Sequence, residues 1–213
     1  MAYWKIAAGF VGMGLLGAGG VLYVGFGAFL PWRERAEANR VADLAGVGAG
    51  QTVAEVGAGP ARFTEILAAR VGAGGRVFAS ELGGAPYETL AARVKPLANV
   101  TAVRAERTTT TLPDGCCDVV LMRNVYHHIS DPVPFIREVG RLVRPGGRIV
   151  VIDFAPGDLW FHGGRPADAA VRRPGHGVST EAAIAEFRAA GFEAETIRPR
   201  WVWPMWMVIF KRV

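Results

Sequence analysis

Short apolar segments alternate with amphipathic ones along most of the chain after residue 50. Runs of this length are typical of buried strands, and the segments between them carry apolar positions at helical spacing. Five strands are predicted, at residues 52–56, 76–80, 100–104, 118–122 and 148–154. Helices are predicted between them, over 61–71 and 87–94 and from Asp131 onward. Strands separated by helices require a mostly parallel sheet with helices on both faces.

The pattern changes toward the end of the sequence. The helix from Asp131 is predicted to stop at the segment RPGG, residues 144–147. Ser179 is a typical N-cap for a further helix, which carries Phe187 on its apolar side. Two closing strands are predicted on either side of Pro204, in a segment with three tryptophans. Core packing explains some of these rings, and an exposed remainder would suit a membrane interface.

The front of the chain has a different pattern, because no residue from Ile6 to Trp32 is charged. This run of 27 residues exceeds the roughly 20 that cross a bilayer as a helix. We therefore predict one N-terminal transmembrane helix, a membrane anchor over residues 1–32, followed by a single domain over 33–213. A cleaved secretory signal is one alternative. A buried or interfacial helix is the other.

Arginines dominate the segment directly after the predicted anchor. It is predicted to form an amphipathic helix with Val41 and Leu44 on its apolar side. Three arginines follow the uncharged run closely: Arg33, Arg35 and Arg40. Lys5 is the only charged side chain before the run. Since positive residues favour the cytoplasmic side of a membrane span, the domain is predicted to face the cytoplasm.

The formal charge of +5 comes from cations that are scattered along the sequence. No basic run is interleaved with aromatic residues, so nucleic acid is not expected as a partner. An affinity for anionic lipid surfaces explains the same charge. The two cysteines, Cys116 and Cys117, are adjacent, which disfavours a structural disulfide and fits a reducing compartment. The oligomeric state does not follow from the sequence.

A glycine-rich turn lies between the first predicted strand and the helix after it, within VAEVGAGPARFTEIL. Gly57 and Gly59 fit the first two positions of a dinucleotide-binding fingerprint. Arg62 stands where that fingerprint has glycine or alanine, and Pro60 removes a backbone N–H that a phosphate would need. A phosphate is therefore a poor fit for this turn.

Acidic residues accompany the turn instead. Glu55 precedes it, and Glu81 follows the second strand, where a carboxylate can accept two hydrogen bonds from a ribose diol. A cofactor that carries an ammonium and a sulfonium benefits from such acids. The sequence therefore predicts S-adenosylmethionine as the cofactor. A turn without a ligand is the alternative, and Glu55 fits a structural role equally well.

The sequence resembles the class I S-adenosylmethionine-dependent methyltransferases, and most closely their small-molecule group. Four blocks in order carry the resemblance: EVGAGPARFT, ASEL, AERTTTTLPDGCCDVV and LVRPGGRIVVID. The resemblance implies an α/β fold, a Rossmann-like doubly wound sheet of seven strands whose last strand is antiparallel. Together with the anchor, this gives a seven-stranded domain preceded by one transmembrane helix.

The resemblance also implies which residues hold the cofactor. Those around its methionine part are Glu55, Gly57, Gly59 and Ala61. Glu81 is placed where the family binds the ribose hydroxyls, and Glu106 near the adenine amine. Ala61 departs from the family's third glycine. Glu106 departs from the aspartate that is usual in the family.

The stretch RNVYHH, residues 123–128, follows the fourth strand and lies at the same sheet edge. Arg123 is assigned to the cofactor site. Tyr126, His127 and His128 are the candidate catalytic residues, since a histidine can take a proton as a methyl group is transferred. Packing beneath the cofactor is the alternative. No metal is expected, because adjacent histidines rarely chelate one ion and no third ligand is evident.

A long loop over 155–178 follows the fifth strand and suggests a substrate lid or a disordered crossing. With the anchor and the resemblance, the chain is predicted to be a membrane-anchored methyltransferase. Its acceptor is expected to be small and apolar or lipid-like, such as a quinone precursor, a phospholipid headgroup or another prenyl lipid. One alternative is a tethered S-adenosylmethionine-binding protein without catalysis. Another is the same fold with a different nucleoside ligand or different chemistry.

Overall fold

A computed structural model describes residues 32–106, 108–156 and 177–213. Its first helix, α1, covers 32–45 and takes in Trp32, which the prediction assigned to the anchor. Its buried positions are Ala38, Val41, Ala42 and Ala45. Leu44 is 37% exposed, so its predicted place on the apolar side is wrong. Three alanines form most of that side, which lets the helix approach the sheet closely.

The seven predicted strands are all present. Their bounds are β1 Thr52–Val56, β2 Arg76–Leu82, β3 Val100–Ala105, β4 Cys117–Arg123, β5 Val143–Phe154, β6 Phe192–Val202 and β7 Met205–Arg212. The helices after α1 are α2 Arg62–Val71, α3 Ala85–Val94, α4 Pro132–Arg141 and α5 Thr180–Ala189. Ser179 caps α5 as predicted, since its side chain accepts the N–H of Ala182.

One sheet contains all seven strands, in the order β3-β2-β1-β4-β5-β7-β6. The strands β1 to β5 pair in parallel, and β7 runs antiparallel to both β5 and β6. This confirms the predicted doubly wound sheet with an antiparallel last strand. Helices must cover both faces of such a sheet because its central strands are apolar on both sides.

The two faces of the sheet have separate cores. On one face, α1 and α2 pack against β1, β4, β5 and β7, with Phe63 and Leu67 pointing inward. On the other face, α4 and α5 contribute Ile136 and Phe187 to the larger cluster. β4 and β5 are buried between these layers, which fixes the positions of their carboxyl ends.

The segment RPGG does not end the helix as predicted. α4 ends at Arg141 and β5 begins at Val143, so residues 144–147 belong to the strand. The register with β4 shifts there, between Cys117 and Val119. A Cβ on Gly147 would lie 2.6 Å from the carbonyl oxygen of Asp118, which explains a glycine at this bulge.

The predicted closing strands around Pro204 are confirmed as β6 and β7. Two of their three tryptophans are buried: the indole N–H of Trp201 donates to Glu37, and that of Trp206 to the carbonyl of Val178. Trp203, in the turn between the strands, is 85% exposed. The tryptophans therefore divide between core and surface.

Two predictions concern residues outside those the structure describes. These are the anchor, except for Trp32, and most of the loop after β5, including His162 and His176. Within the described ranges, no helix has both the length and the apolar character needed to cross a bilayer. The anchor and the substrate lid stay predictions.

Candidate active site

The carboxyl ends of the parallel strands meet at one edge of the sheet, which we call the carboxyl edge. Strands end there at Val56, Leu82, Ala105, Arg123 and Phe154. The glycine turn follows the first of these ends, and the stretch RNVYHH begins at the fourth. The sheet order places β1 between β2 and β4, so the turn lies between Glu81 and Arg123. This confirms the predicted gathering of these segments at one edge.

The glycine turn has a backbone that few side chains tolerate. The φ angle is +70° at Gly57 and +50° at Gly59. A Cβ on Gly57 would overlap Cγ2 of Val125, so both the backbone and the available space require glycine. At Gly59, an added Cβ meets no described atom within 4 Å. Ala61 also has a left-handed backbone, with φ 60°, and is fully buried at the start of α2.

Glu81 binds the turn directly. One carboxylate oxygen accepts the backbone N–H of Gly59 at 3.0 Å, and the other accepts that of Leu82 at 2.9 Å. The N–H of Gly59 is a donor that a pyrophosphate would use in a dinucleotide site. Here a carboxylate occupies it, so the turn carries negative charge and disfavours a phosphate.

Glu55 is a second acid beneath the turn, and it is only 4% exposed. Its carboxylate accepts a hydrogen bond of 2.6 Å from the hydroxyl of Thr64. Burial raises the pKa of Glu55 to about 7 and the Glu81 charge adds to the rise, although the Thr64 bond and the Arg123 charge oppose it. A cation bound nearby would favour the ionised form.

Arg123 is held by α1. Its guanidinium donates to both carboxylate oxygens of Glu37, at 2.9 and 3.3 Å, and lies 4.9 Å above the ring of Phe63. The indole of Trp201 donates to the same carboxylate at 3.1 Å. The structure therefore gives Arg123 a role in attaching α1 to the carboxyl edge. Its predicted contact with a cofactor stays a prediction.

The candidate residues Glu106 and Tyr126 have different surroundings. Glu106 follows the end of β3 at the carboxyl edge and is exposed, so a role near an adenine stays a prediction. Tyr126 is fully buried, and its hydroxyl donates to Glu186 of α5 at 2.5 Å. Its ring packs against Phe187 at a centroid distance of 5.6 Å. Tyr126 thus ties the segment after β4 to α5, which favours a packing role over the predicted catalytic one.

His127 forms a pair with Asp153, the residue before the last of β5. Its backbone N–H donates to one oxygen of Asp153 at 2.9 Å, and its Nδ1 lies 2.8 Å from the other. The ring is only 4% exposed, and Asp153 is fully buried. A carboxylate oxygen at this distance accepts a hydrogen bond, which assigns the hydrogen to Nδ1 and leaves Nε2 as the basic nitrogen.

His128 stands beside this pair. Its ring centroid lies 3.9 Å from that of His127, and the residue is exposed. The ring of Phe154 also packs against that of His127, at a centroid distance of 4.5 Å. The orientation of His127 is therefore fixed by a carboxylate and by packing.

Comparisons with known proteins agree with this geometry. Residues 54–151 match the model of a family described as a methyltransferase domain. The solved structure of a SAM-dependent methyltransferase from Aquifex aeolicus has the same fold, with a TM-score of 0.70 at 22% identity, over 83% of this chain and 89% of that one.

Residues 54–151 therefore form a methyltransferase domain of the class I S-adenosylmethionine-dependent type.

Two curated relatives of the methyltransferase domain carry functional names. The ubiquinone biosynthesis O-methyltransferase of Pseudomonas paraeruginosa is 35% identical over 116 residues, covering 52% of this chain and 47% of that one. The ubiquinone/menaquinone biosynthesis C-methyltransferase UbiE of an Enterobacter species is 26% identical over 116 residues, covering 53% and 46%. The chain thus spans less than half the length of these relatives.

The donor set of the methyltransferase domain fits S-adenosylmethionine, the cofactor that its class implies. Glu81 can accept the two hydroxyls of a ribose in place of backbone N–H groups. The acids Glu55 and Glu81 favour the positive charges of the methionine part. Gly57 and Gly59 allow close approach of the backbone. When bound, the cofactor supplies an electrophilic methyl group.

Three residues of this site lie outside the predicted set: Glu37, Thr64 and Asp153. Asp153 has a signal in the sequence, because it is the polar residue that ends the apolar run 149–152 at the carboxyl end of a parallel strand. Glu37 has none, since its partners Arg123 and Trp201 are 86 and 164 residues away in the chain.

Proposed function

We propose that this protein transfers a methyl group from S-adenosylmethionine to a small, apolar or lipid-like acceptor. The proposal includes a membrane anchor in the N-terminal segment and a domain that faces the cytoplasm. The observation that supports this cofactor is the glycine turn, where Glu81 accepts the N–H of Gly59 at 3.0 Å. A carboxylate in this position repels a phosphate and attracts a sulfonium or an ammonium.

The apolar acceptor is supported by observations outside the turn. The uncharged run from Ile6 to Trp32 is long enough to hold the domain at a bilayer. Two relatives are named for the biosynthesis of ubiquinone. A site held at a membrane reaches acceptors that partition into lipid more readily than a site in free solution, since both reactants share one surface.

His127 is the residue that we expect to handle the proton. As the bond between the acceptor and the methyl carbon forms and the bond from that carbon to sulfur breaks, a hydroxyl or amine acceptor loses a proton. Nε2 of His127 takes this proton, and Asp153 stabilises the imidazolium through its contact with Nδ1 at 2.8 Å. The surrounding residues position the acceptor and exclude water.

The test uses the full chain in vesicles of phosphatidylethanolamine and phosphatidylglycerol with methyl-labelled S-adenosylmethionine. The acceptors are a polyprenyl phenol, the phosphatidylethanolamine itself and a water-soluble catechol. We expect label in a lipid acceptor. We also expect Glu81→Gln to weaken cofactor binding at least about tenfold, or about 1.4 kcal/mol. Glu88→Gln is the matched control, because Glu88 is an exposed acid of α3 paired with Arg104.

The outcomes separate the parts of the proposal. Label only in the catechol would contradict a lipid-like acceptor. Tight binding of the cofactor with no label in any acceptor would favour a tethered binding protein without catalysis. If neither the wild type nor Glu88→Gln binds the cofactor, the turn is structural and the proposed function fails.

A further inference from the structure

The first described helix begins at the carboxyl edge of the sheet. Near its start, Glu34 pairs at 2.6 Å with Arg62, which follows the glycine turn. One turn later, Glu37 pairs at 2.9 Å with Arg123, the last residue of β4. Both partners lie at the carboxyl edge, so α1 enters the fold beside the site. The uncharged run that ends at Trp32 therefore connects to the domain at the same edge as the site.

The turn between β6 and β7 lies at this edge too. In the register of the sheet, Met205 at the start of β7 is opposite Phe154 at the end of β5. The residues between Val202 and Met205 therefore project beyond the edge where β5 ends. Trp201 connects this turn to α1, because its indole donates to Glu37 at 3.1 Å and Arg40 lies 4.3 Å above its ring.

The second half of β6 and the turn after it carry large apolar and basic side chains in solvent. We define the hairpin patch as Ile197, Arg198, Arg200 and Trp203. Trp203 is 85% exposed and Ile197 is 42% exposed. Both arginines are exposed as well. An exposed indole costs free energy in water, whereas aromatic rings at the headgroup level of a bilayer are favourable.

We propose that the hairpin patch is a second membrane contact, whose occupant is the surface of an anionic bilayer. Trp203 enters the headgroup region, and Arg198 and Arg200 bind anionic headgroups. The patch and the uncharged N-terminal run would then hold the domain at two points of the same edge. This orientation turns the site toward the lipid. The inference rests on the membrane anchoring in the proposed function.

The test measures whether lipid reaches Trp203. The full chain is incorporated into vesicles that contain phosphatidylglycerol and lipids brominated near the headgroup, which quench tryptophan at short range. The emission of Trp203 is obtained as the difference between the wild type and Trp203→Phe. We expect bromolipid to remove most of this difference emission. The matched control, Trp203→Phe with Leu44→Trp, moves the fluorophore to the distal part of α1, and its added emission should persist.

The charge of the hairpin patch is tested by Arg198→Glu with Arg200→Glu. We expect bromolipid to quench Trp203 less in this double variant than in the wild type. In the wild type, we expect the quenching to decrease as the salt concentration rises. Arg76→Glu is the matched control, since Arg76 is an exposed arginine at the start of β2, on the opposite edge of the sheet. Equal quenching in all three proteins would overturn the role of the arginines.

Flotation of the same samples separates this inference from its premise. If the protein floats with the vesicles and bromolipid leaves the emission of Trp203 unchanged, the anchor stands and the second contact is wrong. If the protein does not float, both are wrong. If Trp203 is shielded from bromolipid and its emission depends on protein concentration, a second copy of the chain covers the patch and the lipid contact is overturned. None of these readouts needs turnover, so methyl transfer is judged separately.

Discussion

Glu55 is a buried acid whose proton is retained to an unusual pH. Its pKa is about 7 in the folded protein against an ordinary value of 4.5, chiefly because of burial. The folded state therefore binds more protons than the unfolded state between these two values. Stability from this group is present below the lower value and declines as the pH rises toward the upper one.

We predict that Glu55→Gln removes this dependence. The melting temperature of the wild type should fall relative to that of the variant as the pH rises from about 4.5 to about 7, and the gap should then stay constant. Differential scanning calorimetry of both proteins across this window measures the effect. Curves that stay parallel throughout would show that the pKa of Glu55 is the same in the folded and the unfolded protein.

His127 is buried against Asp153 whereas His128 is exposed, which makes them distinguishable in kinetics. We predict that His127→Gln lowers kcat by about 100-fold or more, as expected for loss of a general base, with little change in the Kd of the cofactor. His128→Gln should have the smaller effect. Asp153→Asn should shift the pH dependence of kcat, since it removes the charge that stabilises the imidazolium. Equal kcat values for the two histidine variants would contradict the assignment.

Some residues of the site can be predicted from the local sequence, and others depend on hydrogen-bond partners far away in the chain. Glu55, Gly57, Gly59 and Glu81 are predictable because each sits at a fixed distance from the end of a strand. The burial of Tyr126 is not predictable in this way, since it depends on Glu186, 60 residues later. Local patterns identify which edge a residue occupies. Its orientation depends on contacts that only the folded chain brings together.

At the scale of an element, one buried carboxylate joins α1 to the end of β4 and to β6. Glu37 is 5% exposed and accepts hydrogen bonds from Arg123 and Trp201. We predict that Glu37→Ala lowers the free energy of unfolding by about 3–5 kcal/mol, since it leaves a guanidinium and an indole without their acceptor. Denaturation in urea, followed by circular dichroism, measures the change.

Glu34→Ala is the matched control for this prediction. Glu34 lies on the same helix and also pairs with an arginine, but the side chains of the pair are 26% and 45% exposed. Its removal should cost at most about 1 kcal/mol. Similar losses for the two variants would mean that burial does not decide the strength of these contacts.

The presence of the strands was easier to predict than the residues at which they begin and end. β1 matches its prediction, because a short apolar run between glycine-rich turns has one plausible length. β5 starts five residues earlier than the predicted 148, since a pair of glycines can form a bulge inside a strand as well as a turn. The buried side of α1 consists mainly of alanines, and Leu44 lies outside it. A hydropathy pattern with few large apolar residues does not show which side of such a helix is buried.

At the scale of the whole molecule, the proposed anchor and the site are expected to act together. We predict that a chain starting at Arg33 keeps methyl transfer to a soluble acceptor and loses most of its transfer to acceptors in vesicles. The reason is that the local concentration of a lipid acceptor falls once the domain leaves the membrane. Turnover on both acceptors, with circular dichroism to verify folding, measures the effect. An equal loss on both would contradict a lipid-directed site.

The position of β7 between β5 and β6 has a consequence for synthesis of the protein. β5 ends at Phe154 and its partner begins at Met205, so residues 155–204 must be translated before the outer edge of β5 can be covered. At about 5–20 residues per second, this takes several seconds. During that time an apolar strand edge is open to pairing with other nascent chains.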